Sequence, residues 1–126
     1  MAILTLNNLL EKSKEWDKNL KKDLIVTVER LGGDVKLKKI SKFEYFDIIE
    51  SDFKDKDAEL LYNCCIDPKL SSDEVLNSFD CRDNPEEVVN KIFTHAEKTE
   101  LAELVLKESG ILGKDIISKV SSDIKN

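Results

Sequence analysis

Apolar residues recur at three- and four-residue spacing from Leu6 through Leu9, Leu10 and Trp16 to Leu20, with Ser13 on the same face. That spacing predicts an amphipathic helix over about 6–21, with Trp16 as its anchor in the core. Lys21 and Lys22 follow, where cations suit the negative end of a helix dipole. The period then changes. Leu24 to Arg30 alternates and is rich in β-branched residues, Gly32 and Gly33 follow, and Val35 to Ile40 alternates again. Two such runs across a glycine turn predict a β-hairpin, with Leu24, Val26, Val28, Val35 and Leu37 facing inward and Lys36 and Lys38 facing solvent. Lysines on a short edge also oppose sheet-to-sheet association.

Helical spacing returns at Ser41. Ser41 with Glu44 three residues on is a capping box, and Phe43, Phe46, Ile48 and Ile49 supply the apolar side. Residues 51–57 interrupt the pattern. Leu60, Leu61, Cys64 and Cys65 form the next stripe, which Asp67-Pro68 ends. Ser72, with Asp73 and Glu74 after it, starts a short helix holding Val75, Leu76 and Phe79. Asn84 reads as an N-cap, Pro85 as a first helical residue, and Val88, Val89, Ile92, Phe93 and Ala96 as the face that follows. The helical pattern resumes through Leu101, Leu104 and Val105 to Gly110, a suitable C-terminal cap. The predicted class is therefore mainly α with one small β-hairpin (α+β) and about five or six helices. One domain is expected over 1–110, followed by a C-terminal amphipathic segment, 111–126. In that segment Leu112, Ile116, Ile117, Val120 and Ile124 make a stripe that must pack on something, and they are the candidate partner-binding residues.

Composition narrows the functional classes. Of 126 residues 37% are charged, against about 25% in an ordinary domain, and the net charge is −6. Nucleic-acid binding draws its affinity from Lys and Arg on phosphates, so an acidic chain is not expected to bind nucleic acid. No apolar run is long enough to span a membrane, and the first residues carry no cationic leader, so a cytoplasmic location is expected. Residues 1–43 hold ten bases and six acids, residues 44–87 four and 14, and residues 88–126 six of each. The acidic middle reads as a solvated face, with Asp52, Asp55 and Asp57 among its exposed members. The alternative is a surface for a basic partner, or a nucleic-acid mimic.

The chemistry is sparse. Cys64, Cys65, Cys81 and His95 are the soft ligands, but adjacent cysteines on a helix diverge by about 100°, and no CxxC spacing occurs. The cysteines read as small buried hydrophobes and His95 as a surface residue. No nucleophile–base pair, metal-ligand motif or phosphate loop is present, so neither an enzyme nor a cofactor is expected.

The stretches LTLNNLLEKS, VTVERLGGDVKLKKISKFEYFDI, DAELLYNCCIDPKLSSDEVLNSF and NPEEVVNKIFTHAEKTELAELVLKESG resemble, in order and pattern over residues 3–110, the XkdN-like tail assembly chaperones of phages and phage-derived contractile particles. The CRDN turn before the last helices is shorter than in that family. The resemblance implies a non-enzymatic role in tail assembly: binding the tape-measure protein, keeping it soluble and recruiting tail-tube protein, with self-association as a further expectation. The competing readings are an acidic inhibitor or nucleic-acid mimic from a mobile element, and a small cytosolic adaptor.

Overall fold

A computed structural model describes residues 2–113. Six helices and three strands follow in the order α1 (Leu6–Leu20), β1 (Leu24–Val28), β2 (Gly33–Leu37), α2 (Lys42–Glu50), α3 (Lys56–Cys64), β3 (Cys65–Asp67), α4 (Asp73–Ser78), α5 (Glu87–Ile92) and α6 (His95–Glu108). The mainly helical α+β class is the one the periodicity predicts.

The sheet is antiparallel in the order β1-β2-β3, so the hairpin gains a third strand. The turn between β1 and β2 is a short 3-10 segment, Glu29–Leu31, closed by Gly32 at φ 70°, a left-handed conformation that glycine adopts without cost. Gly33 belongs to β2, opposite Val28. Val28, Val35 and Leu37 are buried, Lys36 is exposed, and Lys38 is half-buried beside Glu44 at 3.3 Å. The strand β3 is the element that sequence reading assigned to the preceding helix. That helix ends at Cys64, and Cys65 pairs opposite Leu37.

The core lies between the inner face of this sheet and helices α3, α5 and α6. Helix α3 is central, packing on α6, α5, α2 and β3. Leu37, Ile40, Leu61, Leu70, Val88, Val89 and Val105 are the largest fully buried side chains. Each contributes about 1.5–3 kcal/mol through burial.

Local signals fix most helix ends. Ser41 and Glu44 make the reciprocal capping box that starts α2, and the Ser72 hydroxyl accepts from the Val75 amide at α4. Asn84 does not cap α5. Its carbonyl accepts from the Glu87 amide in a tight turn, and α5 begins at Glu87. The helix then stops at Ile92, because Thr94 opens α6 with its own capping box to Glu97. At the other end of α6 the Ile111 amide bonds the Leu106 carbonyl at 2.8 Å and the Gly110 amide bonds that of Lys107 at 3.1 Å, with Gly110 at φ 75°. This is a Schellman closure, which needs a left-handed residue at that position. Ser109, buried beside it, accepts from the Ile40 amide at 3.0 Å and ties α6 to the segment after β2.

Candidate functional site

The most conspicuous surface is the one that sequence reading placed in the core. Helix α1 is well formed. Thr5 and Asn8 make a reciprocal capping box at its start, and the Lys21 amide closes its end on the Lys18 and Asn19 carbonyls. Yet α1 has no buried residue. Leu6 is 71% exposed, Leu9 52%, Leu10 51% and Trp16 42%. The expectation of Trp16 as a core anchor is thus corrected. Its ring lies over Gly110, close enough that a Cβ there would sit 2.9 Å from Cζ2. The Lys39 ammonium donates to the Asn19 carbonyl at 2.7 Å. Both ties are in the second half of α1. Its first two turns present their apolar stripe to solvent.

Helix α2 departs from expectation in the same way. Only Ile48 of its apolar residues is buried, while Phe43, Phe46 and Ile49 are exposed. Among the described residues two helices therefore carry uncovered apolar faces. A 15-residue helix is marginal in isolation, so an amphipathic stripe of this kind gains stability from whatever covers it.

The acidic middle is less uniform than its composition. Asp52 is exposed, but Asp55 is not a free surface charge. One oxygen accepts from the Ala58 amide and caps α3, while the other lies 2.7 Å from the ammonium of Lys98 and 3.0 Å from the Asn90 amide. Lys98 is 6% exposed and also donates to the Asn90 side-chain carbonyl at 2.8 Å. Burial pushes the Asp55 carboxyl up, but the hydrogen bonds from Lys98, Asn90 and Ala58 outweigh it and hold the carboxyl below its ordinary value. Asp57 is half-buried. Its carboxyl is raised by burial and then by the charge of Asp55. The Lys98 cluster locks α3, α5 and α6 together, and its polar atoms satisfy one another. Its signal in the sequence is a lysine on the apolar stripe of α6, three residues before Leu101 and four before Ala102.

A second cluster holds the hairpin turn. Arg30 donates to both carboxylate oxygens of Glu97, at 2.9 and 2.8 Å, and to the Ile92 carbonyl at 2.6 Å. The Arg30 bond, with the Thr94 amide behind it, brings the Glu97 carboxyl down to about 2. One glutamate thus caps α6 and receives the turn of the hairpin.

Cys64, Cys65 and Cys81 are buried and unbridged, as small hydrophobes would be. Burial raises the thiols of Cys64 to about 12 and of Cys65 to about 11. His95 is exposed, as the first residue of α6. Among the candidate partner-binding residues, Leu112 is 43% exposed, next to the half-buried Ile111. Ile116, Ile117, Val120 and Ile124 lie outside the described residues. No helix among the described residues is long and apolar enough to cross a membrane.

Scans of this chain against protein-family models, curated proteins and solved structures give no match.

Proposed function

We propose that this chain is a non-enzymatic assembly chaperone that binds a long helical partner through the apolar stripe of α1. In the specific form that the sequence pattern favours, it is a tail assembly chaperone acting in the host bacterial cytoplasm. It holds the tape-measure protein soluble and brings it to tail-tube protein. The observation that carries the reading is the uncovered stripe of α1, on a helix capped at both ends.

The physical case runs from the spacing. Leu6, Leu9, Leu10 and Trp16 recur at the interval that packs side chains of one helix between those of another. Covering what is still exposed of these four contributes roughly 3–6 kcal/mol before the costs of association are subtracted. That suits a chaperone, which must release its client, better than an obligate subunit. Asp55 caps α3 and pairs with the buried Lys98, and the exposed Glu44 caps α2 and pairs with Lys38, which weakens the reading of the acidic segment as a nucleic-acid mimic. The Lys98 cluster is a mutually satisfied brace, with no group left to act on a substrate.

Co-expression tests the proposal. With this chain present, a tape-measure protein from the same genome stays in the soluble fraction and co-purifies with it. A tape-measure protein that is equally insoluble with and without the chain removes the tail-assembly reading.

A further inference from the structure

A different surface lies beside β1 and α6. Among the described residues strand β1 pairs only with β2, so none of them adds a strand to its other edge. Along that edge runs an open groove of about 740 Å³, walled by residues 26–30 on one side and by α6 on the other. Three consecutive residues of β1, Val26, Thr27 and Val28, line it, although strand side chains alternate between faces, and Glu29 and Arg30 of the turn continue the wall. The groove therefore follows the edge of the strand, where backbone N–H and C=O groups point, and not one face of the sheet.

Its floor is apolar, with Val26, Val28, Leu101 and Leu104. Its rim is acidic. Arg30 closes one end and is held by Glu97, and Lys107 lies at the other, 2.7 Å from Glu103. Both cations of the rim are thus neutralised. Glu29 and Glu100 also line the groove, both exposed, and neither has an ion pair or side-chain hydrogen bond among the described residues. The groove keeps two negative charges above an apolar floor.

We propose that this groove receives an extended, basic segment of a partner protein, which adds to β1 as a fourth strand. The segment alternates Lys or Arg with aliphatic residues. Main-chain hydrogen bonds to β1 hold it, its aliphatic side chains meet Val26, Val28, Leu101 and Leu104, and its cations meet Glu29 and Glu100. The size agrees. With a rise of ~3.4 Å, a strand spacing of ~4.8 Å and a layer ~10 Å thick, each strand residue fills roughly 160 Å³, so the groove holds about five residues. Three of them lie beside Val26 to Val28 and the others beside the turn. An occupying helix would leave the edge of β1 unpaired. This inference does not depend on the tape-measure reading, since α1 is a separate surface.

The test is a titration of the full-length, isotope-labelled chain with an acetylated and amidated hexapeptide of alternating lysine and valine, followed by amide chemical shifts at low salt. Saturable shifts in Val26 to Arg30 and in Leu101 and Leu104 are expected. Glu29→Gln with Glu100→Gln, at two exposed positions, weakens binding about fivefold, the size expected for two rim charges. Replacing the lysines of the peptide with glutamate, or N-methylating its alternate amides, abolishes binding. Four results overturn the proposal. Equal binding of the glutamate peptide removes the charge argument, and equal binding of the N-methylated peptide removes strand addition. Shifts in the same residues that grow with protein concentration alone make a second copy the occupant. Cross-strand contacts from β1 to residues 114–126 make the chain its own occupant.

Discussion

Replacing Asp55 with alanine should destabilise the fold by about 3–4 kcal/mol, whereas replacing its partner Lys98 with methionine should cost about 1 kcal/mol or less. The asymmetry comes from burial. Lys98 is 6% exposed, and its ammonium has Asp55 at 2.7 Å and Asn90 at 2.8 Å. Without the Asp55 carboxylate a buried cation keeps one neutral acceptor. Breaking a buried pair this way costs about 3–5 kcal/mol. The Asp55 side chain is 29% exposed, so water can partly replace it and the lower end applies. Loss of its cap on the Ala58 amide adds about 1 kcal/mol. Lys98→Met keeps the apolar stem and removes the charge, while Asp55 keeps Asn90, the Ala58 amide and contact with water. The double variant leaves no orphaned charge, so it should cost only about 2 kcal/mol, less than Asp55→Ala alone. Urea unfolding at pH 7 measures all three, from midpoints at unchanged slope. If Lys98→Met costs as much as Asp55→Ala, or if the two losses simply add, the ion pair is not what Asp55 contributes.

Gly110→Ala forces a side chain into φ 75° and against the Trp16 ring, so it should cost about 1–2 kcal/mol and shift Trp16 emission; unchanged emission would mean that Trp16 does not rest on Gly110. The thiols of Cys64 and Cys65, raised to about 12 and about 11, should react with a thiol reagent at pH 8 at least ~100-fold more slowly than after unfolding. Glu97 sits at about 2 against an ordinary 4.5, so the stability it contributes is complete above pH 4.5 and is lost as pH falls toward 2. Asp55 loses its contribution on the acid side too, while the raised carboxyl of Asp57 acts with opposite sign. Acid unfolding should therefore be shallower in Glu97→Gln than in the native chain, and an identical acid limb would contradict the Arg30–Glu97 pairing.

The sequence carried the fold wherever a local rule and the apolar period agreed. Ser41 with Glu44 started α2, Ser72 started α4, and the alternation on either side of Gly32 made the hairpin. Thr94 with Glu97 is as clear a capping box as Ser41 with Glu44, but the apolar spacing runs on from Val88 to Leu101 and hides the break at Phe93. The strand β3 was not legible, because three residues are too few to show a period and its pairing partner is 28 to 31 residues away. At the candidate site the limit is of another kind. Periodicity reports that α1 and α2 have an apolar side, but not whether this chain or another molecule covers it. The stripe of Leu6, Leu9, Leu10 and Trp16 was visible, and its exposure was not. The same holds for charge. Asp52 and Asp55 look alike in a run of acids, and only the approach of α6 makes one a surface charge and the other the partner of Lys98.

The docking role of α1 is tested most directly by comparing the native chain with a Leu9→Asp, Leu10→Asp double variant in co-expression with the tape-measure protein. Both leucines are about half exposed, so the variant should keep its thermal midpoint, with a change in stability of about 0.5 kcal/mol or less per site. The account predicts that the variant folds normally and no longer keeps the tape-measure protein soluble, while the native chain does. A variant that folds and retains its client as well as the native chain would contradict it.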